Sequence, residues 1–207
     1  MSWCNHINNV VKKASSTLGL LRRNLRHCPA PTRRTAYISL VRSTMEYAST
    51  IWDPCSQGDI DKLERVQRKA ARFAKKDYKS RTPGCVTNML KDLDLSPLSD
   101  RRRHLRLILL FKIAEGMVPA IPASSYLTPQ REKRQIRAKV YKDCVTNNPV
   151  TKYETKNQRS FQIPVANTDT YRNSFFVKTI IDWNQLDNIT TSASTLESFK
   201  NRLQLPT

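Results

Sequence analysis

The chain has 207 residues, and 36 Lys and Arg against 17 Asp and Glu give it a formal net charge of +19. That balance suits polyanionic partners, nucleic acid first and anionic membrane surface second. Four glycines leave little for a Gly-rich phosphate loop or a turn-rich β-sandwich, and the longest apolar run, "LILLF" at 107–111, falls far short of the ~20 residues of a membrane span. The excess charge is not confined to a tail: 1–118 carry 23 basic and 10 acidic residues, 119–207 carry 13 and 7.

In chain order, Trp3, Ile7, Val10, Val11, Ala14, Leu18, Leu21 and Leu25 keep a helical period that "CPAP" at 28–31 stops. A second helix is predicted with Tyr37, Leu40, Val41, Thr44, Tyr47, Ala48 and Ile51 on its apolar face. It ends at "WDP", since Asp53 before Pro54 is pushed out of helical dihedrals. Ser56 and Asp59 have capping-box spacing and open a third helix. Its core, "DKLERVQRKAARFAKKDYKSR" at 61–81, sets Leu63, Val66, Ala70 and Phe73 against a stripe of Arg65, Arg68 or Lys69, Arg72 and Lys76.

"CVTNMLKDLDL" is a short helix. "SPLSDRRRHLRLILLFKIAEG" follows, with Ser96 as expected N-cap, Pro97 in the first turn and an apolar middle that marks a central buried helix. From 119 to 160 no period is sustained, and a basic, partly disordered linker is expected. "SFQIPVA" is a possible strand. "NSFFVKTIIDWNQL" aligns Phe176, Ile180 and Trp183 behind Asn173 or Ser174 as cap, and "STLESFKNRLQL" has Ser194 and Glu197 at capping-box spacing.

Little in the pattern points to catalysis. Cys4 and His6 lie about 30 Å from His27 and Cys28 along a continuous helix, too far for one zinc ion. "DID" (Asp59, Asp61) and "DLD" (Asp92, Asp94) place acids two apart, which on a helix point away from each other and cannot share Mg²⁺. Glu46 reads as a structural acid for Arg22, Arg42 or Arg102. The five cysteines are odd in number and widely spaced, as free thiols of a reducing compartment would be. No secretory leader is legible in "MSWCNHINN". An intracellular protein, nuclear or cytoplasmic, is expected, with no cofactor, metal or small-molecule substrate.

The positive signal is three basic clusters: "LRRNLRH" with Arg22 and Arg23, the third helix with Arg65, Arg68, Lys69, Arg72 and Lys76, and "RRRHLR" with Arg101, Arg102 and Arg103. A stripe of this kind meets successive phosphates, and such binding falls steeply with salt. Tyr37, Tyr47, Trp52 and Phe73 read as core rather than as stacking platforms.

The blocks "SWCNHI", "KASSTLGLLRRNL", "YISLVRSTMEYASTIWDP", "KLERVQRKAARF", "LSPLSDRRRHLRL" and "NSFFVKTIIDWNQL", in that order, resemble the region after the catalytic palm of jockey-like, LINE-type non-LTR retrotransposon reverse transcriptases. The resemblance spans nearly the whole chain except 119–160. It implies a thumb-like helical bundle at 1–118, the basic linker at 119–160 and a small helical C-terminal module at 161–207. It implies RNA, RNA–DNA or DNA duplex as partner, and the palm of the polymerase as a second. The family's metal-binding acids sit in a "[FY]-A-D-D" motif that this sequence lacks, so no polymerase activity is expected of the chain by itself.

Overall fold

A computed structural model describes residues 3–130, 141–142, 149–150 and 157–203. The chain is mainly α-helical and divides into two units, the first reaching Leu105 and the second starting at Arg106. The division falls inside a helix, earlier than the boundary expected at 118. About half of the expected linker lies outside the described residues, and its first part holds a short helix at Ala123–Tyr126. Further along, Tyr141–Lys142 and Pro149–Val150 pair as two short antiparallel strands, β1 and β2.

The first unit is organised on two long helices. Helix α1 (Cys4–Asn24) buries Ile7, Ala14, Leu18 and Leu21, the stripe its period predicts. Helix α5 (Gln57–Lys75) packs along it and buries Leu63, Val66, Ala70 and Phe73, again as predicted, together with Gln67, Ala71 and Ala74. The Ser56 hydroxyl accepts the Asp59 amide at 3.2 Å and so caps α5. The Lys62 ammonium, 2.7 Å away, and the Ser56 hydroxyl hold the Asp59 carboxyl below its ordinary range.

Between α1 and α5 the expected single helix is broken into pieces: α2 (Ala30–Ala36), a π turn (Tyr37–Arg42), α3 (Ser43–Glu46) and α4 (Ser49–Trp52). Five of the buried positions, Arg33, Tyr37, Val41, Met45 and Ser49, recur every fourth residue, with Arg42 and Trp52 buried beside them. A plain α-helix would rotate such a set off its face. The wider π turn holds it in place. Leu40, Tyr47 and Ile51, expected inside, are therefore 53%, 81% and 69% exposed. Ala48, in left-handed conformation at φ 51°, ends the run, and the Trp52 indole N–H donates to the Tyr47 carbonyl.

Helix α6 (Cys85–Asp92) packs on α5 and buries Met89. Helix α7 (Leu98–Ala114) begins after Pro97 rather than at it. Ser96 does not cap it, for its hydroxyl makes no hydrogen bond. The Ser99 amide instead donates to the Glu64 carboxylate of α5 at 3.0 Å. A buried relay lies alongside: Tyr37 OH donates to Gln67 Oε1 at 2.9 Å, and Gln67 Nε2 donates to the Ser96 carbonyl at 2.8 Å. Burial pushes the Tyr37 phenol above its ordinary range, so it stays a donor.

In the second unit, Leu107, Leu110, Phe111 and Ile113 of α7 join Leu127, Ile180, Trp183 and Phe199 in one core. Short helices α8 (Ala123–Tyr126), α9 (Asp169–Arg172) and α11 (Asn188–Thr191) accompany α10 (Phe175–Asn184) and α12 (Leu196–Arg202). Phe111 stacks on Phe199 with centroids 4.5 Å apart. The expected strand "SFQIPVA" is reduced to one antiparallel bridge, Phe161 to Pro129. Pro164 has no N–H for a ladder, and the Asn184 carboxamide takes the pairing role by bonding both the N–H and the carbonyl of Phe161. Helix α12 is capped one residue later than expected, by Thr195, whose hydroxyl accepts the Ser198 amide at 3.1 Å. Ser174 precedes α10 without a side-chain cap bond.

Candidate nucleic-acid interface

Residues from the C-terminal halves of α1 and α5 and from the turn that follows α5 line one groove. Lys76 ends that helix in left-handed conformation, at φ 56°. The Asp77 amide then reaches back to the Arg72 carbonyl at 3.1 Å, a Schellman-type closure with lysine where glycine is usual. Asp77 shapes the next residues. Its carboxylate accepts the Ser80 hydroxyl and the backbone N–H groups of Ser80 and Lys79. Those bonds, the hydroxyl's first, hold its carboxyl below the ordinary range.

Arg72 ties this turn to the helix. Its Nη1 donates to the Asp77 carbonyl at 3.2 Å and its Nη2 to the Ser80 carbonyl at 3.0 Å. Tyr78 is thereby presented over α1, and the Arg22 guanidinium carbon sits 4.2 Å from the centre of its ring.

The result is an open groove of about 830 Å³ bordered by Gly19, Arg22, Arg23, Arg26, His27, Arg33, Phe73, Lys76 and Tyr78. A smaller hollow of about 290 Å³ continues it past Gly19 and Arg22 to Lys69 and Arg72. No Asp or Glu lines either one among the described residues. Gly19 keeps the wall low, because a Cβ there would meet only Arg23 Nη1, at 3.9 Å.

The predicted basic residues therefore separate into groups. Arg22, Arg23, Lys69 and Lys76 are exposed and meet at the groove. Arg72 lies there as well, with its guanidinium directed to the turn carbonyls. Arg65 and Arg68 are exposed on α5 but outside the groove.

The third cluster is committed to protein partners in part. Arg102 is 2% exposed and its Nε donates to Asp53 Oδ1 at 2.9 Å, so it is a core ion pair and not a phosphate contact. Arg101 makes a two-point pair with Glu46, the partner that sequence assigned to Arg22, Arg42 or Arg102. Arg103 is half-buried on α7, outside the groove.

Arg26, His27, Arg33 and Tyr78 were not among the predicted contacts. Arg26 and His27 sit in the "LRRNLRH" block and could have been read from it. Arg33 could not: its Nε and Nη2 both donate to the Ala74 carbonyl, 41 positions away, at 3.0 and 2.6 Å.

Among the described residues, no three His, Cys, Asp or Glu side chains gather where a metal ion could be held. No described helix is long and apolar enough to cross a membrane. No family model matches the chain, and no curated protein or solved structure matches it significantly.

Proposed function

We propose that the first unit binds the phosphodiester backbone of RNA, or of an RNA–DNA or DNA duplex, without carrying out catalysis itself. In this reading it acts as the thumb-like part of a non-LTR reverse transcriptase, with the polymerase acids supplied by a palm. One observation supports it above the rest: five basic side chains and a histidine border a groove with no carboxylate on its described lining. Phosphate oxygens are what such a surface lacks, and each phosphate neutralised releases condensed counterions.

Fluorescence anisotropy with a labelled RNA–DNA primer–template, titrated at increasing KCl, tests the proposal. Affinity should fall steeply with salt, and Arg23→Glu with Lys76→Glu should weaken binding at least about tenfold and flatten the salt slope by ~1–2. Undetectable binding at low salt, or a double reversal with no effect, contradicts it. Metal-dependent primer extension by the purified chain would contradict the noncatalytic part.

A second reading, a helical protein-interaction module whose charge only solvates it, is favoured by exposed Leu40, Tyr47 and Ile51. It predicts no nucleic-acid binding at any salt.

A further inference from the structure

The groove is more than a charged surface. Arg33 borders it, is 4% exposed, and uses two of its three guanidinium nitrogens on the Ala74 carbonyl. The third, Nη1, is buried and has no hydrogen-bond partner. A buried guanidinium N–H group left unpaired is costly, since an ionised donor removed from water without an acceptor forfeits its hydration. The Phe73 ring, 5.9 Å from the guanidinium carbon, offers a weak contact and no acceptor. Arg33 therefore lends the groove positive charge from beneath its surface rather than a hydrogen bond at it.

Shape narrows the ligand. The groove's volume is in the range of pockets that enclose a small molecule, too small to admit a double helix and sufficient for a segment of one strand. Its rim carries Arg22 stacked on Tyr78, a cation and an aromatic face at one place, which is the combination that single-stranded sites use for backbone and base together. Lys76 at the end of α5, Arg23 on α1 and Arg26 in the turn after α1 border it as well.

We infer that this groove seats a single-stranded, phosphate-bearing segment of nucleic acid, with its phosphates meeting the exposed Arg23, Arg26 and Lys76 and an adjacent base meeting the Arg22–Tyr78 pair. The inference rests on the proposed nucleic-acid binding and adds to it a strand state and a place. A duplex then binds the unit by its backbone alone, and an unpaired overhang binds it better.

Arg33→Ala is an ambiguous test, because it also strips the Ala74 carbonyl of its donors and can unfold the unit. Gly19→Phe is cleaner. It changes no charge, it replaces a glycine inside α1 by a better helix former, and it projects a ring into space that is open now. Two labelled probes of equal phosphate number are compared by anisotropy at one salt concentration: a single-stranded oligouridylate and a blunt RNA–DNA duplex.

The expected result is a loss of at least about tenfold for the single strand and less than about twofold for the duplex. Binding of both probes by the native chain with no loss in the Gly19→Phe chain overturns the seat and leaves the wider proposal standing. Equal losses for both probes overturn the strand preference. Binding of neither probe by the native chain overturns both.

Discussion

The Glu64 carboxylate of α5 accepts the backbone N–H of Ser99 at 3.0 Å and so caps α7 from another helix. An acid at a helix N-terminus also meets the positive end of the helix dipole. Burial nevertheless raises the Glu64 pKa, and the bond to the Ser99 amide only partly opposes that. The folded chain therefore holds this proton more tightly than the unfolded chain. Stability tied to Glu64 is complete below the ordinary glutamate value and declines as pH rises through the raised one. Glu64→Gln keeps an acceptor for Ser99 and removes the charge. It should leave the chain at least as stable as native at neutral pH, with a smaller pH dependence above the ordinary glutamate value in urea melts. Glu64→Ala should cost about 1 kcal/mol through loss of the cap.

Arg102 and Asp53 form a pair whose side chains are 2% and 10% exposed. Removing one partner leaves a buried charge unpaired, so Arg102→Ala should destabilise the first unit by about 3–5 kcal/mol. The slope of log affinity for nucleic acid against log salt, measured on the folded fraction, should not change. A slope reduced by ~1 would mean that Arg102 reaches phosphate after all.

Arg72 spans two carbonyls of the turn that carries Tyr78, a task for a forked guanidinium. Arg72→Lys keeps the charge but cannot make the same pair of bonds. The variant should bind single-stranded RNA several-fold more weakly with the salt slope unchanged. Recovery of full affinity by lysine would mark Arg72 as a direct phosphate contact instead.

Lys76 holds a left-handed conformation at the end of α5, where glycine avoids the Cβ clash. Lys76→Gly should raise stability by about 1 kcal/mol in denaturant melts and weaken nucleic-acid binding by the loss of one cation. If stability and binding fall together, the lysine is needed for the turn itself.

Where burial follows a single period, sequence was enough. The stripes of α1 and α5, and the Ser56 cap, needed only local spacing. The second predicted helix departs from the structure because five of its buried residues recur every fourth position, and a π turn leaves no mark in a scheme that assumes one helical pitch. Likewise, Ser96 has the spacing of a cap, but Glu64 arrives through tertiary packing from 35 positions before Ser99. The candidate groove was half legible. Arg22, Arg23, Lys69 and Lys76 could be listed from charge alone. Which arginines turn inward could not, because that depends on where Asp53, Glu46 and the Ala74 carbonyl come to rest.

The inward ion pairs also shape what a polyanion meets on approach. Glu46, Asp53 and Asp182 are mostly covered, and each is paired with an arginine, Arg101, Arg102 and Arg106 respectively. At distances beyond a Debye length these pairs cancel, and the total charge of +19 is unchanged. Close to the surface the effect differs: three of the chain's acids are withdrawn from competition with phosphate for the exposed cations. Each pair withdraws one arginine with its acid, so the exposed surface keeps the whole excess of cations with fewer acids standing beside them.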